Sequence, residues 1–154
     1  MRLFYPVIVF VCVLLDQLTK TYISKTVEYA SKIPVIERFF YISNVHNYGA
    51  GFSILQNARV FLSAVSILVI CALAYMLYRS EKNKPYENIC YVLILSGALG
   101  NLIDRIRFSY VVDFLDFYIF GYNFPVFNVA DCFITVGCFL LLIMSLLGDK
   151  NAED

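Results

Sequence analysis

Gly97-Ala98-Leu99-Gly100-Asn101-Leu102-Ile103-Asp104-Arg105, then Val111-Val112-Asp113-Phe114, then Phe124-Pro125-Val126-Phe127-Asn128-Val129-Ala130-Asp131, is the stretch on which the rest of the chain turns. Between Gly97 and Asp131 it sets four carboxylates, Asp104, Asp113, Asp116 and Asp131, into surroundings that are otherwise mostly apolar. Two of them repeat one pattern, Asn101-x-x-Asp104 and Asn128-x-x-Asp131, each at the edge of a long hydrophobic run. Ionisable groups are costly at membrane depth, so a cluster of them marks a functional site.

Composition places that stretch in a membrane. With 154 residues, 60% hydrophobic, 17% aromatic, 16% charged and a mean hydropathy of +0.72, the chain is too apolar for an ordinary soluble domain. Formal net charge is zero and the basic residues are scattered, which excludes an electrostatic footprint for nucleic acid. The five cysteines, Cys12, Cys71, Cys90, Cys132 and Cys138, lie in hydrophobic runs without ligand spacing and read as small packing residues. His46 is the only histidine, so neither a metal site nor a cofactor is expected.

Four spans follow from runs of the length a bilayer requires, about 20 residues each. They are expected near 3–22, 60–78, 88–107 and 128–147, with an outer segment at 23–58, in a single domain over 1–154. The first run resembles a secretory signal peptide but lacks a small-x-small cleavage site and is expected to be retained. It ends in Asp16-Gln17-Leu18-Thr19-Lys20, where Asp16 and Lys20 share a helical face and can pair as a structural anchor. Ile33 to Ile42 is β-branched and aromatic and predicts one or two short strands at the membrane surface. Asn44 to Ser53 predicts a turn, and the aromatic stretch from Tyr110 to Phe127 an interfacial crossing loop with strand character. In span three, Ser96 to Gly100 supplies small residues for close helix approach, and Gly97, Asn101 and Asp104 share one face. In span four, Asn128 as cap with Asp131 three residues on is a helix-start signature.

Successive spans alternate in direction, so Asp16, Lys20, Asn101, Asp104, Arg105, Asn128 and Asp131 fall on one side, together with Asp113. Converging carboxylates, with no serine–histidine pair, suit water activation by an aspartate dyad sharing one proton. Any two of Asp104, Asp113 and Asp131 satisfy that chemistry, and the helix start favours Asp131 as the more readily ionised. Two other chemistries start from the same acids. An ion conduit through Asp16, Asp104 and Asp131 requires polar residues at full depth, which spans two and four lack. A phosphotransferase holding Mg2+ on Asp104, Asp113 and Asp116 requires a phosphate-cradling glycine motif, also missing.

At these residues the chain resembles the bacterial lipoprotein signal peptidases, also called signal peptidase II or prolipoprotein signal peptidase. The matching blocks are the 16–20 stretch, Asn47-Tyr48-Gly49-Ala50-Gly51-Phe52-Ser53 and the three stretches quoted first, in order and over nearly the whole chain. The resemblance implies a membrane all-α fold, a four-transmembrane-helix bundle with a small extracytoplasmic β-rich cradle. It implies an aspartic endopeptidase that cuts prolipoproteins just before a diacylglyceryl cysteine. By matching position Asp113 and Asp131 are the catalytic pair, Asn101, Asp104, Arg105 and Asn128 the supporting polar shell, Asn47 a substrate-facing residue, and Asp16 a structural aspartate. Its implied partners are prolipoproteins, membrane lipids and the inhibitor globomycin. Both termini are implied to be cytoplasmic, in a bacterial inner membrane. The raw count of basic residues points the other way, since Lys20, Lys25, Lys32, Arg38, Arg59, Arg105 and Arg107 outnumber Arg2, Arg79, Lys82, Lys84 and Lys150. Two departures stand out: the turn block reads Tyr48-Gly49-Ala50-Gly51-Phe52, and Cys132 replaces the serine usual after the second aspartate.

Overall fold

The computed structural model describes residues 4–49, 58–80 and 84–148. Helices α1 (Phe4–Thr26), α2 (Arg59–Arg79), α3 (Pro85–Phe108) and α4 (Val129–Gly148) are each long and apolar enough to cross a membrane. Strands β1 (Lys32–Ile36), β2 (Phe40–Asn47), β3 (Val111–Ile119) and β4 (Tyr122–Asn123) form an antiparallel sheet in that order. This is a four-helix membrane protein carrying a small sheet.

The helices divide into one centre and three walls. Of the spanning part of α3, 67% is buried, against 17% in α1, 6% in α2 and 11% in α4. The walls expose leucine, valine and phenylalanine outward, as lipid-facing helices do, while α3 packs against all three. Glycine makes that packing possible. A side chain at Gly97 would meet the Ala130 carbonyl and the Ile134 side chain of α4, and one at Gly100 would meet the Asp16 carboxylate of α1. The small-residue stripe read from the sequence is therefore where three helices come closest.

α3 begins with Pro85, whose missing N–H costs nothing in a first turn, and ends at Ser109 in the left-handed region (φ 72°). The Ser109 N–H returns to the Arg105 carbonyl at 3.2 Å, which closes the helix and turns the chain directly into β3. β2 and β3 pair from Phe40↔Phe117 to Asn47↔Val111, with the register broken between Ile42 and Val45. At that break Asn44 exchanges backbone hydrogen bonds with Ala30 and Ser31, and its side-chain amide donates to the Val27 carbonyl at 2.8 Å. The sheet is thereby fastened to the end of α1, over a core of Ile23, Val27 and Phe114.

Several sequence expectations shift. α1 runs past Tyr22 to Thr26, so Asp16 and Lys20 lie inside the helix and not at its end. Asn44 to Asn47, read as part of a turn, belong to β2, because Val45 to Asn47 pair with Asp113 to Val111 of β3 and the Asn44 backbone is held by Ala30 and Ser31. Ala50 to Ser53, the rest of that expected turn, lie outside the described residues. The aromatic loop is largely a hairpin: Phe120 and Gly121 both take positive φ (50° and 81°), as a two-residue turn between twisted strands demands.

The close approach at Gly97 sets a stability test. Gly97→Leu should destabilise the detergent-solubilised protein by at least about 3 kcal/mol, since α3 and α4 must separate to admit it. Gly121→Ala, where none of the described residues lies within 4 Å, should cost only about 1 kcal/mol of backbone strain. Thermal unfolding followed by circular dichroism ranks the two.

Candidate active site

The site is built around a buried lysine. Lys20 is 2% exposed. Its ammonium lies 3.0 Å from Asp16 Oδ2, 3.2 Å from Asp104 Oδ2 and 2.9 Å from Asn101 Oδ1, one acceptor for each hydrogen it can offer. Each carboxylate reaches on to a further element. Asp16 Oδ1 accepts from the Ala130 N–H at 2.9 Å in the first turn of α4, and Asp104 Oδ2 accepts from the Val112 N–H at 3.2 Å in β3. Gln17 Nε2 donates to Asp104 Oδ1 at 2.9 Å and to Asp16 Oδ2 at 3.2 Å. Lys20 thus ties α1, α3, α4 and β3 at one point.

Asn101 carries this arrangement outward. Its Oδ1 faces Lys20, so its amide N–H is aimed the other way, at Asp131 Oδ1, 2.8 Å off. Asp131 also forms a reciprocal cap at the start of α4: its N–H donates to Asn128 Oδ1 at 3.0 Å, and its Oδ2 accepts from the Asn128 N–H at 3.2 Å. The Asn128 amide then donates to Asp113 Oδ1 at 2.6 Å and to Asn101 Oδ1 at 3.2 Å. The Asn47 amide donates to Asp113 Oδ2 at 2.9 Å.

Asp113 and Asp131 therefore sit on one amide-linked circuit, and both line a cavity of about 490 Å³. Asn47, Asn101 and Arg105 complete its polar side, and Phe124 to Phe127, Ile134 and Val136 form an apolar wall. Arg105 donates to the Gly49 carbonyl at 3.3 Å and the Asn101 carbonyl at 3.4 Å. Burial, and after it the neighbouring Asp131 charge, pushes the Asp113 carboxyl up to about 7, against the pull of Asn47, Asn128 and Lys20. At neutral pH a large share of Asp113 is protonated.

A profile of the family described as Signal peptidase (SPase) II matches residues 8–147. The chain belongs to the signal peptidase II family. A lipoprotein signal peptidase of Bacillus pumilus (strain SAFR-032) is 39% identical over 152 residues, which span 99% of this chain and 98% of that one. Two solved structures, each described as a bacterial membrane enzyme determined by the in meso method, share its fold. One superposes with a TM-score of 0.88 at 35% identity over 97% of this chain and 91% of its own. The other has a TM-score of 0.83 at 36% identity over 92% of both chains. This signal peptidase II family member is a multi-pass membrane protein.

The structure brings Asp16, Lys20, Asn47, Asn101, Asp104, Arg105, Asp113, Asn128 and Asp131 into one connected network. It separates the acids of the phosphotransferase alternative. Asp104 faces Lys20 and Gln17, Asp113 faces Asn47 and Asn128, and Asp116 accepts from Ser43 Oγ at 2.8 Å away from the cavity. Gln17 joins the network without belonging to the expected site residues, and its signal is that a glutamine inside a membrane span calls for a partner there. The Ser43–Asp116 and Asn44–Val27 contacts carry no local signal, because they depend on where the sheet register breaks.

The buried lysine is also the weak point. Lys20→Met leaves Asp16 and Asp104 without their cation and should cost about 3–5 kcal/mol, seen as lost yield and a lowered melting temperature. Lys84→Met removes a 3.6 Å pair with Glu87 whose lysine is 58% exposed, and should cost at most about 1 kcal/mol.

Proposed function

We propose that this protein is an aspartic endopeptidase that cleaves the signal peptide from prolipoproteins just before a diacylglyceryl cysteine, with Asp113 and Asp131 as the catalytic pair. The observation that carries the reading is that two carboxylates from different elements, β3 and α4, face one cavity in unlike surroundings. The Asp131 oxygens meet the Asn128 N–H at the positive end of a helix and the Asn101 amide; those of Asp113 meet side-chain amides. Asp131 is placed to act as the base and Asp113 as the acid.

The chemistry then balances over one turnover. Asp131 takes a proton from a water as its oxygen adds to the scissile carbonyl carbon, and Asp113 gives its proton to the carbonyl oxygen. The product is a neutral gem-diol with the dyad's protonation exchanged. Asp131 next gives its proton to the amide nitrogen, Asp113 takes one from a diol hydroxyl, and the C–N bond breaks. Both acids return to their starting states without a covalent intermediate.

The apolar wall from Phe124 to Val136 lies beside the dyad, so a substrate's lipid chains and signal helix can remain in the bilayer while its peptide bond enters the cavity. Confinement to the membrane supplies much of the positioning. We assign both termini to the cytoplasm, the site to the outer face, and the sheet to an extracytoplasmic cradle over the substrate. In support, Lys20 and Arg105, which weigh against this orientation in a raw charge count, are held inside the site by hydrogen bonds.

The test is purified protein with a diacylated prolipoprotein, the released signal peptide detected by mass, with and without globomycin. Asp113→Asn and Asp131→Asn should each lose activity by about 10²-fold or more; substantial turnover in either removes the dyad. Because raising the pH ionises Asp113, kcat/KM should fall through an alkaline limb near pH 7.

A further inference from the structure

The Asn47 amide is the donor to Asp113 Oδ2, and the residues on either side of it, His46 and Tyr48, are not among those that line the cavity. Asn47 pairs with Val111, so Asp113, two residues further along β3, is its diagonal neighbour on the same face. Successive side chains in a strand alternate in direction, so the residues flanking Asn47 point away from Asp113. Both meet one ring there. His46 stacks on Tyr110 with centroids 3.7 Å apart and planes 13° apart, and Tyr48 meets the same ring edge-on at 5.5 Å. Tyr29 also lies against His46 at 4.4 Å, and Phe108 against Tyr110 at 5.8 Å. On its own side Asn47 is held a second time, since its Oδ1 accepts from the Gly49 N–H at 2.9 Å and leaves the amide N–H for Asp113.

We propose that His46 and Tyr110 are positioning residues for the cleavage: their stacked rings hold the backbone at Asn47 so that its amide stays on Asp113. The inference rests on the dyad reading above. Tyr110 follows directly on Ser109, the left-handed end of α3, so the stack also links the close of the central helix to the end of β2. Without the rings, residues 46 and 47 keep their ladder to β3 but lose what prevents the strand end from rotating.

The readout is the pH profile, because a merely structural role does not move it. A donor to the charged form of a carboxyl lowers its pKa, so loss of the Asn47 contact raises that of Asp113. The charged groups acting on Asp113 are Asp131 from α4, Lys20 from α1 and Arg105 from α3. Burial lowers the pKa of His46 and raises that of Tyr110, so neither titrates between neutral pH and pH 9.

The experiment measures kcat/KM against pH for Tyr110→Leu, His46→Leu, Tyr110→Phe, Asn47→Ala and the double variant Asn47→Ala/Tyr110→Leu, with Asp113→Asn and Asp131→Asn beside them. Tyr110→Leu and His46→Leu should each move the alkaline limb up by about one pH unit and, because the acid is less well aimed, lower the plateau below that limb about tenfold. Tyr110→Phe, which keeps a ring, should behave as the unsubstituted protein. The double variant should be no worse than Asn47→Ala alone, since both act through one contact. An unmoved limb in both Leu variants, or additive losses in the double variant, overturns the proposal. Because His46→Leu and Tyr110→Leu disturb different elements, either suffices if the other fails to fold. Turnover by an Asp→Asn variant would instead overturn the dyad, so the two failures are distinguishable.

Discussion

A lysine ammonium withdrawn from water is the constraint from which the architecture follows. Removing an ion from solvent costs several kcal/mol, and this is recovered only when its partners are placed with good geometry. Lys20 finds them on its own helix in Asp16 and on α3 in Asp104 and Asn101. Each carboxylate is tied to a further element as well: Asp16 also accepts from α4, and Asp104 from β3. Four elements converge around one charge, two through its own partners and two through the carboxylates, and glycine at positions 97 and 100 of α3 lets the helices come close enough.

The rest of the site inherits its orientation from that point. An amide has one acceptor end and one donor end, so once Asn101 turns its oxygen to Lys20 its nitrogen has only Asp131 to face. Asn128 repeats the logic, with its oxygen on the Asp131 N–H and its nitrogen shared between Asn101 and Asp113. Asymmetry between the two acids is thus a consequence of amide polarity and of one helix start, and burial deepens it on the Asp113 side.

Much of this was legible in the sequence, for identifiable reasons. The four helices announce themselves because a bilayer demands long apolar runs, and the Asn128–Asp131 cap because a helix start needs its donors satisfied within a few residues. Counting spans was enough to bring Asp16, Asn101, Asp104, Asp113 and Asp131 to one side. Less was legible where contacts depend on the sheet. That Asn44 lies in a strand, that Asp116 turns from the cavity to Ser43, and that His46 rests on Tyr110 all follow from a register broken between Ile42 and Val45. Periodicity does not encode such a break. Gln17 stood beside Asp16 in plain view, yet its partner Asp104 lies on another helix, beyond the reach of spacing within α1.

The double duty of Asn128 reaches into how a chain like this one can vary in length. One residue both begins α4 and donates to Asp113, so inserting or deleting a residue between β4 and α4 would shift the helix start and the carboxyl's donor together. That connector has no slack. The Phe120–Gly121 tip, with a fully exposed Phe120 and none of the described residues within 4 Å of a side chain at Gly121, has room for added residues that the connector lacks.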